Sequence, residues 1–261
     1  AFAARTGQVA DAGHMAAKIA WLERHAPGAA RYHQPVSYLV ERLTGEAVMD
    51  HALASTTMLY GLVAAGWDAA LLAAFAIAPA QLPRLDHAAA CAGVLHAAGA
   101  ALTGLPPGTP VAVGTGDDFA TGLGAGLAAP GRVVCILGTA EVVGALHPRI
   151  VIDEAGLVET HPWPGGGFFV ENPGWLGGGT VAWACALLGL DGGPALDGLA
   201  AAAPAGAEGV RFLPALGGAM APTWHSGARG ALYGLAPGHG RPVVARAVLE
   251  GCAFAARDVV D

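Results

Sequence analysis

Five residues constrain this chain most: Gly114-Thr115-Gly116-Asp117-Asp118, which follow directly on the apolar run Pro110-Val111-Ala112-Val113. A brief apolar run closed by glycines reads as a buried strand entering a tight turn. The texture of the sequence changes around this turn. Before it the patterns are mainly helical; after it they alternate between strand, turn and helix. The two carboxylates admit two roles. They can act as a general base or hold a metal, or they can form an Asx turn or cap a helix that starts at Phe119. Both readings stay open on the local sequence.

Helices are expected over residues 14–26, where Met15, Ile19 and Leu22 share a face, and over 36–43, 67–77 and 86–102. Leu105-Pro106-Pro107-Gly108 reads as a loop. Strands are expected at 110–114, 132–137, 144–147, 167–170 and 210–215. A helix at 179–188 precedes a Gly/Ala/Pro-rich loop through 208, and a helix at 242–260 closes the chain.

Composition removes several classes. The 261 residues are 54% hydrophobic and 13% charged, with a mean hydropathy of +0.50, which argues against disorder. The apolar stretch from Ala69 to Ala80 falls short of the roughly 20 residues a membrane span needs, and Asp68, Pro79, Arg84 and Asp86 break the region up. Net charge is -7 with a pI of about 5.7, which disfavours nucleic acid and anionic membranes as partners. Cys91, Cys135, Cys185 and Cys252 are widely spaced with no CxxC, so free thiols in a cytoplasmic protein are expected. The opening residues AFAARTGQ do not form a signal peptide. The chain begins with alanine, so the true N-terminus is expected upstream.

Two further glycine turns could hold phosphate. Leu137-Gly138-Thr139-Ala140 offers backbone N–H groups and a hydroxyl after a buried strand, or is an ordinary strand-to-strand turn. Gly177-Gly178-Gly179-Thr180 opens a helix, where glycines let an anion reach the first N–H groups, or it is a flexible helix entry. Other motifs fail. Gly124-Ala125-Gly126-Leu127-Ala128-Ala129 fits GxGxxA but does not directly follow a strand, so it supports a dinucleotide-dependent oxidoreductase only weakly. GxxxxGK[ST], GxSxG and HExxH are absent, and the ten histidines lack ligand spacing. Lys18, the only lysine, reads as a solvated helix residue.

Taken in order, these pieces resemble the FGGY family of carbohydrate kinases. Residues 15–25 (MAAKIAWLERH) carry the family's lysine with a tryptophan three residues on. Residues 36–46 (VSYLVERLTGE) resemble its "DYLxxxLTGE", and Asp50 with Ala54-Ser55 its "D…AS". Leu105 to Asp117 resembles "GLxxGTPVxxGGGD", residues 136–143 "LGTSxxV", and Gly178 to Trp183 a glycine-rich helix start. Residues 212–235 and 244–254 are similar to two further family elements. The resemblance implies an α/β, actin-like and ribonuclease-H-like fold of two domains with a cleft between them, both incomplete in this chain. Residues 1–129 would be the later part of the N-terminal sugar-binding domain, and 130–261 the earlier part of the C-terminal nucleotide-binding domain.

It further implies ATP-dependent phosphorylation of a sugar hydroxyl. Asp117 would be the general base, and Asp118 would touch substrate hydroxyls. Gly138, Thr139 and Gly178 would contact the nucleotide, with Mg²⁺ bridging the ATP phosphates. Gly124 and Gly126 fix the register that selects Asp117 over Asp118. A small sugar is the expected partner, with no nucleic acid and no membrane, and a homodimer the expected assembly. A ketopentose such as xylulose is the first expectation, and a related sugar, polyol or aldonate the wider class.

The chain also departs from the family. Its phosphate turn continues into Glu141, a negative charge near where phosphates would sit. Asp118 replaces an amide. Ala219 and Met220 stand in place of Glu-Arg, while Ala221-Pro222 and Trp224 resemble glycerol kinases and gluconokinases. Gly13 takes the place of a substrate-contacting tyrosine of glycerol kinases, which argues against glycerol. The family's first Asp-Gly-Thr loop and its late Gly-Gly-Gly motif are missing, so these 261 residues are expected to be the middle of a kinase and a poor kinase alone. Glu141 and the missing loops motivate an alternative: a noncatalytic sugar-binding or regulatory relative.

Overall fold

The computed structural model describes residues 2–172, 176–219 and 225–260. Met220, Ala221, Pro222 and Trp224 lie outside the described residues. The chain divides into two compact units, Ala1–Arg132 with Leu146–Val170, and Val133–Ala145 with Glu171–Asp261. The division falls within one strand near residue 145 and within another near residue 170.

The first unit opens with α1 (Ala3–Thr6), α2 (Met15–His25) and α3 (Pro35–Thr44). Of the α2 face expected to be apolar, Met15 and Ile19 pack inward with Tyr32, Met58 and Leu72, whereas Leu22 is exposed. Strand β1 (Val48–Asp50) is buried at all three residues and leads straight into the short helix α4 (His51–Ser55). A small hairpin follows, β2 (Tyr60–Gly61) with β3 (Gly66–Trp67), and then α5 (Ala69–Ala74), shorter than expected.

The helix expected over 86–102 does not form. The segment holds β4 (Arg84–Asp86), β5 (Cys91–Val94) and only then α6 (Ala97–Thr103). Strand β4 pairs in parallel with β1, Met49 opposite Leu85. Strand β5 pairs antiparallel with β6 (Pro110–Ala112), Val94 opposite Pro110. Alanine favours helix by only a fraction of a kcal/mol per residue, and these ladders outweigh it. His96 then caps α6, its Nδ1 accepting from Gly99 N at 2.9 Å. The first half therefore contains sheet as well as helix. After β6 comes α7 (Asp117–Gly124).

In the second unit, β7 (Val133–Leu137) and β8 (Glu141–His147) form an antiparallel hairpin with Leu137 opposite Glu141. The chain then returns to the first unit for β9 (Glu159–Pro162), and β10 (Phe168–Asn172) crosses the division near residue 170 on the way to α8 (Gly178–Leu188) of the second unit. Part of the expected long loop is helix α9 (Gly193–Ala200), with proline in its first turn and Leu196 and Ala200 buried four residues apart. The flanking Gly189 and Gly192 disguise this short amphipathic pattern. Strand β11 (Arg211–Leu213) pairs antiparallel with β12 (Ala231–Tyr233), and α10 (Arg241–Val260) packs over β11 and over α9. This core is built largely from small side chains, such as Ala184, Ala200, Ala245 and Ala247, around Leu196, Val210 and Phe212.

Candidate active site

The turn carrying Asp117 is anchored on both sides. Val113 is fully buried, and Gly114 turns the chain with φ +74°, a conformation glycine adopts without steric cost. Thr115 Oγ1 donates to Asp50 Oδ2 at 3.0 Å. A side chain at Gly116 would begin 3.1 Å from Leu53 Cδ1. Gly116 is the extended residue that starts α7, and no side chain caps this helix. The cap reading of the two carboxylates is thereby corrected. Asp117 and Asp118 are the first two residues inside the helix, both exposed, where a negative charge is favoured by the helix dipole. Phe119 is buried at 1% exposure, with ring contacts to His161, Trp163 and Phe169.

Asp50 is 2% exposed. Besides the Thr115 hydroxyl it accepts from Leu53 N at Oδ1 and Ala52 N at Oδ2, both at 3.1 Å, so it caps α4. Burial raises its carboxyl above the usual range, against the pull of these three donors.

Three of the expected nucleotide residues meet in the second unit. Gly138, Thr139 and Ala140 form the exposed turn between β7 and β8. The Gly138 carbonyl accepts from Gly178 N at 2.8 Å, and that of Thr139 from Gly179 N at 3.0 Å. A methyl group at 178 would lie 2.4 Å from the Gly138 oxygen. Close backbone packing therefore requires glycine here. The N–H groups of Thr180 and Val181 bond to Gly177 O. The donors expected to stand open at the start of α8 are thus already engaged, and the exposed face of the pair is the Gly138–Ala140 turn.

Glu141, next along the chain, points inward and not onto the turn. It is 2% exposed, accepts from Cys135 Sγ at 3.7 Å, and packs its Cβ against Gly177. Burial pushes its carboxyl up, and the thiol contact opposes this. It lines a cavity of about 530 Å³ together with Leu137, Val181, Leu249 and Cys252. Burial, followed by the Glu141 charge, pushes the Cys252 thiol up to about 11.

Sequence reasoning missed two connections. The Thr115–Asp50 bond joins positions 65 residues apart; an aspartate directly before an alanine-rich helical stretch was its only local sign. Ser55 Oγ lies 2.7 Å from His161 Nδ1, both buried, and nothing in the spacing of the histidines marked this one. Lys18 is exposed on α2, as expected, and the four cysteines are free. Among the described residues no group of three His, Cys, Asp or Glu side chains could hold a metal, and no helix is long and apolar enough to cross a membrane. A magnesium ion fits this donor set only as a companion of phosphate oxygens and water.

Comparison with known proteins joins the two units. Residues 1–124 match the N-terminal domain of the FGGY family of carbohydrate kinases, and residues 133–261 match its C-terminal domain. A glycerol kinase from Gloeobacter violaceus is 36% identical over 98% of this chain and 52% of its own length. A xylulose kinase from Escherichia coli is 31% identical over 98% of this chain and 54% of its own length. The crystal structure of xylulose kinase from Rhodospirillum rubrum superposes with a TM-score of 0.85 at 32% identity, covering 99% of this chain and 54% of that one. The chain thus spans about half the length of the relatives it matches, and its fold is their two-domain, actin-like fold. Both halves in tandem show that the chain belongs to the FGGY family of carbohydrate kinases.

Proposed function

We propose that the protein containing this chain transfers the γ-phosphoryl group of ATP to a hydroxyl of a sugar or polyol. The observation that carries this reading is an exposed carboxylate, Asp117, on a turn held by a hydrogen bond from Thr115 to the buried Asp50. Phosphoryl transfer asks mainly for positioning, charge stabilisation and an oriented nucleophile. Asp117 takes the proton of the attacking hydroxyl as its oxygen bonds to the γ-phosphorus. The bond from that phosphorus to the bridging oxygen breaks, and ADP leaves. Asp118 contacts a neighbouring hydroxyl. The exposed amides of Gly138 and Thr139 and the Thr139 hydroxyl face the phosphates, and Gly178 keeps that turn seated. Magnesium bound with ATP supplies charge neutralisation. Residues 1–129 serve the sugar and 130–261 the nucleotide.

A ketopentose such as xylulose is the preferred acceptor. It is supported by Gly13, where a substrate-contacting tyrosine would favour glycerol, and by the similarity to xylulose kinases. The 36% identity to a glycerol kinase favours glycerol as a second reading. Glu141 is one ground for the noncatalytic alternative, and its inward, buried carboxyl weakens that ground. A cytoplasmic location rests on the four free, widely spaced cysteines, and a homodimer on the family resemblance alone.

The test is ADP release by the protein on a panel of xylulose, gluconate, glycerol and related compounds. Turnover that depends on one acceptor is expected. Calorimetric sugar binding without ADP release from any member would replace this reading with the noncatalytic one.

A further inference from the structure

Helix α4 holds the Asp117 turn at both ends. The residue before its start, Asp50, receives the Thr115 hydroxyl. Its last residue, Ser55, bonds His161, and the His161 ring stands edge-on to Phe119 with centroids 5.7 Å apart. Thr115 and Phe119 lie two residues before and two residues after Asp117. The intervening Gly116 is pressed on Leu53, a residue of α4 itself. Asp117, one of the two exposed carboxylates of this stretch, is therefore carried on a segment tied to α4 at the half-buried Thr115 and, through His161, at the buried Phe119.

Capping alone does not account for Asp50. Serine or asparagine caps a helix about as well as aspartate, and burying a carboxylate is costly unless its oxygens are satisfied. Leu53 N occupies one oxygen. The other accepts from Ala52 N and from Thr115. An asparagine there offers one acceptor oxygen, and its amide N–H groups would face donors. What the carboxylate adds over an ordinary cap is a second accepting oxygen, and this is the one that takes the Thr115 hydroxyl.

We propose that Asp50 and Thr115 are positioning residues for Asp117: the buried carboxylate fixes the threonine hydroxyl, and that bond aims the exposed carboxylate two residues on at the acceptor hydroxyl. The inference rests on the reading of Asp117 as the base. Misplacing a reacting group by about 1 Å can cost about a hundredfold in rate, whereas nucleotide contacts lie in the other unit and should be spared.

The test compares Thr115→Val, Thr115→Ser, Asp50→Asn and Asp117→Asn in the full protein, with ATP and the acceptor found by the panel. Thr115→Val exchanges the hydroxyl for a methyl group of similar size and so abolishes the bond to Asp50. It is expected to lower kcat about tenfold to a hundredfold, with KM for ATP changed by less than about twofold. Thr115→Ser should restore most of the rate, and Asp50→Asn should behave as Thr115→Val does. A folded Thr115→Val variant with undiminished kcat, beside an inactive Asp117→Asn, overturns the positioning role and leaves the base role standing. A Thr115→Val variant whose KM for ATP worsens as much as its kcat overturns it too, since general damage then explains the loss. Full turnover by Asp117→Asn removes the base reading and this inference with it. If Asp50→Asn does not fold, the two Thr115 variants decide alone.

Discussion

Replacing Gly178 by alanine tests how the phosphate turn is built. The added methyl carbon would lie 2.4 Å from the Gly138 carbonyl oxygen and 3.2 Å from its carbon, where ordinary contact begins at 3.4 Å. Both atoms are backbone, so no side chain can swing away. The turn must retreat by about 1 Å, and the bonds from Gly178 N and Gly179 N to Gly138 O and Thr139 O stretch or break. Overpacking of this kind costs about 1–3 kcal/mol, and each lost hydrogen bond about 1 kcal/mol. The terms overlap, so a net loss of about 2–4 kcal/mol is expected. Gly198→Ala is the control. It lies inside α9 with nothing within 4 Å of the added carbon, and there alanine should be neutral or stabilise by up to about 1 kcal/mol. Urea unfolding of both variants measures the difference. Equal stabilities would refute the claim that the turn and the start of α8 are in backbone contact.

The buried groups around Glu141 give two further expectations. Burial raises the Glu141 carboxyl above its ordinary value of 4.5, so the folded state holds its proton more tightly than the unfolded chain. Its contribution to stability is fully present below that ordinary value and is lost as pH rises through the folded value. Glu141→Gln should therefore gain on the native protein in urea midpoint as pH climbs above about 4.5, and a pH-independent offset would contradict this. Cys252, pushed up to about 11, should react with a thiol reagent more slowly than the exposed Cys91 at about pH 8; comparable rates would show that its thiol is not shielded.

The parts of the fold that could be read from the sequence share a physical cause. The expected helices of 14–26 and 242–260 appear as Met15–His25 and Arg241–Val260 because an apolar face of period 3.6 is a local signal. Residues 86–102 fail for the opposite reason. Their alanines look helical in isolation, while the partners that make them strands, Val48 to Asp50 and Pro110 to Ala112, lie elsewhere in the chain. The site divides in the same way. Asp117, Gly138 and Gly178 are visible as glycine-marked turns. The Asp50–Thr115 bond and the Ser55–His161 contact join residues 65 and 106 positions apart, and no local pattern encodes such separations. The direction of Glu141 was equally hidden, because the strand alternation of β8 does not show that Cys135 and Gly177 enclose its carboxyl.

The most direct measurement is the rate of acceptor-dependent ADP release by Asp117→Asn beside the native protein, with binding of the acceptor followed separately by calorimetry. Asp117 is exposed in the first turn of α7, so the variant should fold and bind the acceptor as the native protein does. A near-complete loss of turnover with binding retained is the result expected of a general base at the end of this anchored turn. Undiminished turnover would show that the proton leaves by another route, and the central claim would fall.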